Sequence, residues 1–399
     1  MQQIPPPTGS VSLTAASSCI GRNNKSRTLL EDSFPALIGP SLPWKYRQPR
    51  PLGRGAWSTV WTLIDNATNE IVVGKLSNLA LMSEQNKNFA RSEAVNILSC
   101  EHPNIIRLLE TYEQNGKLLH ILEYADAGDL MTQVEVRANS LSWAENGIAF
   151  VGRKGVAGTA PFYYREKEVL IILAQICLAV KYIHEKKIMH RDLKTSNILL
   201  RKNGLIKLGD FGLSQKCTQN LSGVEETFCG TPHYLSPELW RRESYNYKAD
   251  IWSLGVLLYE LMALRKPFIC NSMQELMQRV LTEGSYDPLP ADRYSEGVRD
   301  LCYAMLRVNP HERPNIIEVF ETPVLLNGGL EYLKKNLMRL RKIEDAVRSR
   351  LLWEVDSVQH TCCIEHPLSV SRSISAERKE TQSSEDNESG GSAVSSSVA

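Results

Sequence analysis

The segment from His190 to Gly212 constrains the fold of this chain more than any other part of its sequence. It opens with His190-Arg-Asp-Leu-Lys-Thr-Ser-Asn197 and closes with Asp210-Phe-Gly212. The stretch between them, NILLRKNGLIKLGD, has the pattern of two short strands connected by a turn. A tight polar loop, a β-hairpin and an acidic turn are therefore predicted to follow one another.

The side chains of this segment have complementary chemistry. Asp192 can accept the proton of a hydroxyl group, and Lys194 can neutralise a phosphate during its transfer. Asn197 and Asp210 offer the carbonyl and carboxylate oxygens that Mg²⁺ prefers. These residues predict Mg²⁺-dependent phosphoryl transfer, with Asp192 as the base and with Asn197 and Asp210 as metal ligands.

Two features nearer the N-terminus fit the same chemistry. The run LGRGAWSTV contains Gly53 and Gly55, whose missing Cβ atoms let backbone N–H groups approach phosphate oxygens, although a glycine-rich hairpin turn explains the run about equally well. Lys75 ends a predicted strand, where it can bind phosphates, and Glu93 lies on a predicted helix that can bring its carboxylate to Lys75. A solvated strand-end lysine and an exposed helical glutamate are the alternatives.

The hydrophobic pattern changes along the chain. Residues 46–76 have the pattern of short strands, and Asn115-Gly116 is a strong hairpin signal between two further strands. A helix is predicted near 84–100, and from Leu130 onward the pattern is helical. These patterns predict an α+β fold with a small, mostly β lobe that carries one helix and a larger, mostly α lobe. A ligand site is expected in the cleft between two such lobes.

Composition argues against several classes of function. The 46 Lys and Arg against 45 Asp and Glu leave a net charge of +1, which gives no electrostatic reason to expect a nucleic-acid partner. The nine cysteines include no CxxC pair, so neither a disulfide framework nor a zinc site is indicated. No stretch approaches the roughly 20 apolar residues that span a membrane, so no transmembrane segment is expected.

The ordered motifs resemble those of the eukaryotic protein kinases over about residues 46–325. The resemblance implies a bilobal kinase fold that uses ATP and Mg²⁺ and acts on protein substrates. It makes Lys75 the phosphate-anchoring lysine and Glu93 its partner, and it implies that Asp250 braces the catalytic loop and that Arg313 pairs with Glu238. The residues that it assigns to nucleotide binding are Leu52, Gly53, Gly55, Val60, Val73, Lys75, Leu122, Glu123, Ala125 and Leu199.

Other details narrow the resemblance. Lys194 and the Gly-Thr-Pro that contains Thr231 are similar to serine/threonine kinases, and the runs EYADAGDL, GDFGLS and GTPHYLSPEL resemble the NIMA-related kinases. That subfamily implies a cytoplasmic protein, associated with the cytoskeleton or a flagellum. Ser58 replaces the third glycine of the loop and Val73 replaces a common alanine, but neither change should abolish ATP binding. A pseudokinase scaffold is the alternative, and the complete set of catalytic residues argues against it.

A phosphorylation switch is also predicted. The chain between Asp210 and Glu238 is polar and rich in turn formers, and Thr227 lies four residues before Thr231, where related kinases are phosphorylated. A phosphate on Thr227 would bring about −1.5 to −2 charges to Arg191, the residue before Asp192. Thr227 and Arg191 are therefore predicted to be regulatory, and Ser222 and Thr218 are weaker candidates.

The segments outside the motifs give further expectations. Residues 1–43 are predicted to be a disordered tail, with the alternative of a mitochondrial presequence opposed by three consecutive prolines, and residues 359–399 are predicted to be a disordered Ser-rich tail. The kinase domain is expected at 44–325, with lobes at 44–125 and 126–325. Residues 136–164 form a longer link between two predicted helices than is usual in the kinases that the chain resembles, so they are predicted to be an inserted loop.

Residues 326–358 are predicted to be an amphipathic basic helix, with Leu and Val at a/d-like spacing across 330–352 and Glu344 at one core position. A short coiled coil that self-associates, a membrane-surface helix and a helix docked on its own kinase domain all fit this pattern, and docking in cis is favoured because three flawed heptads stabilise a dimer little. Cys362 and Cys363 are ordinary thiols or acylation sites. Residues 330–399 are expected to be dispensable for activity, because the last kinase-like motif ends at Pro314.

Overall fold

The computed structural model describes residues 45–54, 58–145, 162–216 and 231–365. The chain forms two compact units. The first contains the described residues up to Ser83 together with Leu109–Tyr124, and the second contains Glu84–Leu108 and the described residues from Ala125 onward.

The first unit, called the sheet unit below, contains a sheet with the strand order β1-β2-β3-β5-β4. The connection between β4 and β5 is the predicted tight turn, in which Asn115 and Gly116 have φ angles of 51° and 70°. Left-handed backbone at both central residues matches the twist of the strands that it joins. The strands are β1 (Tyr46–Arg54), β2 (Ser58–Asp65), β3 (Ile71–Asn78), β4 (Leu108–Gln114) and β5 (Lys117–Glu123).

One face of this sheet forms the core of the unit. Its side chains alternate with those of the opposite face, as the two-residue period of a strand requires. Gly74 lies in the middle of β3, where an added Cβ would come within 2.9 Å of Leu63 Cδ1, so this position needs glycine for close packing. The buried residues of this face are Tyr46, Trp61, Leu63, Val72, Leu76, Leu119 and Ile121.

The second unit, called the helical unit below, is built around two helices that are buried on nearly all sides. A helix that is apolar all round requires such burial. Two small two-stranded sheets, β6 with β9 and β7 with β8, lie in the same unit. Together with the sheet unit, this arrangement confirms the predicted α+β class. The two central helices are α3 and α5 of the set α1 (Glu84–Leu98), α2 (Leu130–Glu145), α3 (Glu166–Glu185), α4 (Pro237–Trp240), α5 (Lys248–Ala263), α6 (Met273–Val280), α7 (Glu296–Met305) and α8 (Ile316–Glu321). The short strands are β6 (Ile188–Met189), β7 (Ile198–Leu200), β8 (Ile206–Leu208) and β9 (Gln215–Lys216).

The start of the predicted inserted loop at 136–164 is helical. Helix α2 continues to Glu145, because the chain contains no proline and no glycine between Leu130 and Gly147 that would break it. The guanidinium of Arg137 lies 3.9 Å from the ring centroid of Tyr164, which fixes this part of the helix against the chain beyond the insertion. Residues 146–161 lie outside the described residues.

The C-terminal segment is a pair of helices and not the single helix predicted at 326–358. A π-helical stretch (Val324–Gly329) leads into α9 (Leu330–Arg339), and α10 spans Asp345–Glu365. The break occurs because Leu340 adopts an extended conformation, which lets Ile343 become buried, and Arg348 donates to the Leu340 carbonyl at 2.9 Å. Helix α10 also extends seven residues past the expected boundary at 358. We call residues 330–365 the C-terminal hairpin.

The C-terminal hairpin packs on its own helical unit through apolar side chains. The two helices are antiparallel, since Lys334 Nζ lies 2.6 Å from Asp356 Oδ1 and Gln359 Nε2 lies 3.2 Å from Glu331 Oε1. This burial argues against the expectation that residues 330–399 are dispensable. Among the described residues, no helix is both long enough and apolar enough to cross a membrane. The buried side chains of the hairpin are Leu330, Leu333, Leu337, Ile343, Leu351, Val355, Val358 and Cys362.

Candidate active site

Asp250 fixes the start of the loop at residues 190–197. Its Oδ2 accepts hydrogen bonds from the backbone N–H of His190 and from His184 Nε2, both at 2.9 Å, and its Oδ1 accepts from the backbone N–H of Arg191 at 2.9 Å. Burial opposes ionisation of Asp250, but the hydrogen bond and charge of His184 outweigh it, so the pKa of this carboxyl is lowered. The brace holds Arg191 at φ 68°, a left-handed conformation that is strained for a residue with a side chain.

Asp192 lies at the centre of a buried polar network. Lys194 Nζ lies 2.5 Å from Asp192 Oδ2, and Thr231 Oγ1 donates to Oδ1 at 3.1 Å. Lys194 also donates to Thr231 Oγ1 at 2.8 Å, which closes a triangle of the three side chains. The structure therefore brings Asp192 and Lys194 together as predicted, and it adds Thr231, whose contact with Asp192 the sequence motif did not reveal.

Asn197 is oriented by the same loop. Its Nδ2 donates to the Asp192 carbonyl at 2.8 Å and to Asp192 Oδ2 at 3.2 Å. Because the amide nitrogen is used in this way, the side-chain oxygen of Asn197 is the atom that remains for a cation. Its backbone carbonyl accepts from the Gly209 N–H at 2.9 Å, which ties the loop to the residue before Asp210.

Asp210 is exposed and has a φ of 58°, and the residue after it anchors the turn. Phe211 is fully buried, with its ring centroid 4.9 Å from that of His190 in an edge-on contact. His190 Nε2 contacts the Gly209 carbonyl at 3.1 Å, and burial lowers the pKa of this imidazole. A neutral His190 and a buried Phe211 thus hold the backbone on either side of Asp210.

Helix α1 belongs to the helical unit, although the predicted first lobe at 44–125 includes it. Asn96 Nδ2 donates to the Ser214 carbonyl at 2.8 Å, and Glu93 is buried beside Gly212, where an added Cβ would lie 3.5 Å from Glu93 Oε2. Glu93 is therefore held next to the segment that follows Asp210. Lys75 lies in the sheet unit, so its predicted pairing with Glu93 stays a prediction.

Four of the predicted nucleotide-binding residues in the sheet unit share one sheet face. Val60 pairs with Lys75, and Val73 pairs with Leu122, so that the four side chains point away from the core of the unit. Lys75 is half-buried on this face. This register brings an apolar surface and one cation together, as adenine and phosphate binding require.

The remaining predicted nucleotide contacts are spread over both units. Leu52 and Gly53 are exposed near the end of β1, and Gly55 lies outside the described residues. Glu123 ends β5 in the sheet unit, whereas Ala125 begins the next part of the helical unit. Leu199, on β7, lies 3.3 Å from a Cβ built on Gly209. A common adenine site for these residues stays a prediction.

Two buried carboxylates support the segment that follows Thr231. Arg313 forms a two-point ion pair with Glu238, with N···O distances of 2.9 and 3.1 Å, as the resemblance predicted. Glu260, which the sequence analysis did not single out, accepts hydrogen bonds from Tyr234 and, at 3.1 Å, from Thr195 of the loop. No local pattern identifies Glu260, because its partners lie 65 and 26 positions away.

The predicted switch is only partly within the described residues. Thr227, Ser222 and Thr218 lie outside them. The side chain of Arg191 is buried, and its guanidinium lies 5.2 Å from the ring centroid of Tyr245.

Comparison with known proteins identifies the family. The family model for the protein kinase domain matches residues 46–325. Serine/threonine-protein kinase A of Trypanosoma brucei brucei is 39% identical over 315 residues, which cover 79% of this chain and 68% of that protein. Nek5 of Homo sapiens is 32% identical over 296 residues, covering 74% of this chain and 38% of Nek5, and Nek3 of Mus musculus is 34% identical over 285 residues, covering 71% and 49%. The chain belongs to the protein kinase family and is a serine/threonine kinase similar to the Nek kinases.

Proposed function

We propose that this kinase transfers the γ-phosphate of ATP to serine or threonine hydroxyls of protein substrates, with Asp192 as the catalytic base. The observation that carries the proposal is the hydroxyl of Thr231, which donates to Asp192 Oδ1 at 3.1 Å. An alcohol O–H is thus accepted at the atom where a substrate hydroxyl would lose its proton. Asp192 is buried, and Lys194 and Asn197 both donate to its Oδ2, so its carboxylate is oriented before substrate arrives.

Lys194 has a separate proposed role. Its ammonium lies 2.5 Å from Asp192 Oδ2 and 2.8 Å from Thr231 Oγ1, between the base and the segment that leads to Glu238. A cation at this position would interact with a phosphoryl group while the proton moves to Asp192. The interaction strengthens as charge develops on the transferring group, so it lowers the barrier more than it favours ground-state binding.

Protein kinases in general use ATP and Mg²⁺, and the residues of this site fit both. Asn197 directs its amide nitrogen to Asp192, which leaves a carbonyl oxygen, and Asp210 has an exposed carboxylate, so the donors are the hard oxygens that Mg²⁺ selects. Among the described residues, no group of three or more His, Cys, Asp or Glu could hold a metal by itself. Asn197 and Asp210 would therefore share the ion with phosphate and water oxygens. When bound there, Mg²⁺ would neutralise negative charge on the phosphate groups.

The nucleotide is proposed to bind the sheet face that contains Val60, Val73, Lys75 and Leu122. The apolar side chains would cover adenine, and the Lys75 ammonium would hold the phosphates. Glu93 is proposed to pair with Lys75 when the kinase is active, which makes the position of α1 part of the catalytic arrangement.

Phosphate transfer to a generic protein acceptor tests the proposal in the full chain. We expect Asp210→Ala to abolish Mg²⁺-dependent transfer and to leave thermal unfolding nearly unchanged, because the carboxylate is exposed. We expect Asp192→Asn to lower kcat at least about 10²-fold with little change in the KM for ATP. Near-normal turnover in either variant would refute the assigned role, and an inactive wild-type chain would favour a scaffold function.

We also propose that phosphorylation of Thr227, in trans by a second copy, activates the kinase. The support is the buried Arg191, whose position next to Asp192 suits an anionic partner. Thr227→Ala is expected to reduce activity about tenfold, which corresponds to about 1.4 kcal/mol of barrier. Intact-mass analysis and peptide mapping of the active enzyme, together with kinetics of the variant, measure this. Full activity with unmodified Thr227 would eliminate the switch.

A further inference from the structure

Glu354 of α10 contacts the segment that follows α1. His102 Nε2 lies 2.7 Å from Glu354 Oε2, and the His102 side chain is fully buried. The second oxygen of Glu354 accepts from Arg350 Nε at 2.6 Å. Both carboxylate oxygens are therefore used, one of them toward a residue 252 positions earlier in the chain.

The direction of the His102 hydrogen bond follows from its other ring nitrogen. The backbone N–H of Asn104 donates to His102 Nδ1 at 3.0 Å, so Nδ1 is an acceptor and the proton of a neutral ring is on Nε2. Nε2–H then donates to Glu354. Burial alone would raise the pKa of Glu354, but the hydrogen bonds from His102 and Arg350 lower it overall, which keeps the acceptor ionised.

The segment that Glu354 contacts, residues 99–106, connects to the elements that carry Glu93 and Asp210. On one side, the Cys100 N–H donates to the Ile97 carbonyl at 2.8 Å, which continues α1, the helix that carries Glu93. On the other side, the Leu208 N–H donates to the Asn104 carbonyl at 2.7 Å, and Leu208 is the last residue of β8, two positions before Asp210. A shift of this segment would therefore move both Glu93 and Asp210.

Helix α3 provides the opposite wall of the same contact. The ring centroids of Tyr182 and His102 are 5.0 Å apart, and the Tyr182 hydroxyl accepts from the Glu101 N–H at 3.1 Å. His102 thus lies between α3, which belongs to the matched kinase domain, and α10, which lies beyond its last matched residue, 325. The C-terminal hairpin thus supplies one of the contacts of the His102 ring.

We infer that Glu354 is a positioning residue for phosphoryl transfer, which acts through His102 to hold α1 and the strand before Asp210. The inference rests on the proposed roles of Glu93 and Asp210. It makes the C-terminal hairpin an activating part of the catalytic unit and not a passive extension.

The experiment compares five variants of the full chain with wild type. Glu354→Ala removes the acceptor, and Glu354→Gln keeps an acceptor oxygen of the same size. Asp356→Ala is the matched control, because it removes an exposed carboxylate of the same helix whose ion-pair partner among the described residues is Lys334. His102→Phe, alone and in combination with Glu354→Ala, completes a mutant cycle. The readouts are kcat and KM for ATP, and amide hydrogen exchange of residues 84–106.

We expect Glu354→Ala to lower kcat/KM for ATP about three- to tenfold and to accelerate exchange in residues 84–106. Glu354→Gln should stay within about twofold of wild type, Asp356→Ala should not differ from it, and the double variant should be no worse than Glu354→Ala, since the two side chains act as a unit.

Unchanged or increased activity in Glu354→Ala would overturn the inference, and an increase would make the contact autoinhibitory. An equal loss in Glu354→Ala and Glu354→Gln with faster exchange throughout the helical unit would also overturn it, because the effect would be general destabilisation. An inactive wild-type chain would refute the proposed function instead, while the exchange data would still report whether Glu354 holds residues 84–106.

Discussion

The proposed catalytic loop (residues 190–197) and the C-terminal hairpin both belong to the helical unit, but they are held there by different kinds of interaction. The loop at 190–197 is held by buried carboxylates that each satisfy several donors, as Asp250 does for two backbone N–H groups and His184. The hairpin is held by a stripe of apolar side chains, with Glu354 as its principal buried polar contact. A carboxylate network restricts the residue type at each of its positions, whereas an apolar stripe restricts only the size and the spacing of its side chains.

This difference predicts different responses to substitution. Removal of one partner from a buried polar network leaves the other groups without hydrogen bonds, at a cost that adds over the donors. Removal of a buried leucine costs the lost burial and the cavity that remains, and it leaves the catalytic groups in place. Substitutions in the loop should therefore lower both stability and turnover, whereas truncation of a buried leucine in the hairpin should lower stability and leave turnover nearly unchanged.

The largest effect is expected for Asp250→Ala. It leaves His184 and the backbone N–H groups of His190 and Arg191 without their acceptor in a buried site, so the free energy of unfolding should fall by about 3–5 kcal/mol. Turnover should fall as well, because the strained backbone at Arg191 loses its brace. Urea unfolding at neutral pH and steady-state kinetics measure the two effects.

Asp250→Asn is the control, since it has the same shape and keeps one oxygen acceptor. Because the pKa of Asp250 is lowered in the folded protein, its ionised form stabilises the fold at pH values above the ordinary carboxyl pKa. This contribution is lost as the pH falls through the folded pKa, so the difference between wild type and Asp250→Asn should shrink in acid. A loss below about 1 kcal/mol in Asp250→Ala would contradict the description of the loop as a polar network.

The sequence predicted the loop well and the hairpin poorly, for the same physical reason. Asp192, Lys194, Asn197 and Asp210 could be singled out, because each proposed role accepts few residue types at a fixed spacing. Of the predicted core positions in the hairpin, Leu340 and Val347 are only partly buried. The other four are buried, so the spacing was informative in part: Leu330, Leu333, Leu337 and Leu351. The spacing did not identify the surface against which these side chains pack, because an amphipathic stripe fits a coiled coil, a membrane surface and its own domain equally well.

The break between α9 and α10 illustrates a second limit. Glu344 was identified as a flaw in the apolar repeat, but the pattern did not reveal that the chain would turn there to bury Ile343. The contact between Glu354 and His102 gave no local signal at all, since burial of a histidine depends on two elements that meet only in the folded chain. Tertiary contacts between single polar residues far apart in sequence are the part of this site that motifs do not encode.

A smaller effect, on stability alone, is expected for Leu333→Ala. Leu333 is fully buried on α9, and truncation of such a leucine costs about 2–4 kcal/mol. The contact with His102 is made by Glu354 of α10, whereas Leu333 lies on α9. We therefore expect kcat at saturating ATP to stay within about twofold of wild type. Met338→Ala is the matched control, since Met338 is 65% exposed on the same helix, and it should change stability by less than about 0.5 kcal/mol. Equal effects of the two variants would show that the hairpin does not rest on its apolar stripe.

The smallest effect is expected for Lys334→Ala, which removes the ion pair across the hairpin. Lys334 Nζ lies 2.6 Å from Asp356 Oδ1, but the Asp356 side chain is 63% exposed, so water and salt screen the attraction. The free energy of unfolding should fall by less than about 1 kcal/mol, and a mutant cycle with Asp356→Ala should give a coupling that weakens as salt is added. Urea unfolding of the four proteins at low and high ionic strength measures this coupling. A loss as large as that of Leu333→Ala would mean that polar contacts hold the hairpin as they hold the catalytic loop, and the contrast between the two regions would disappear.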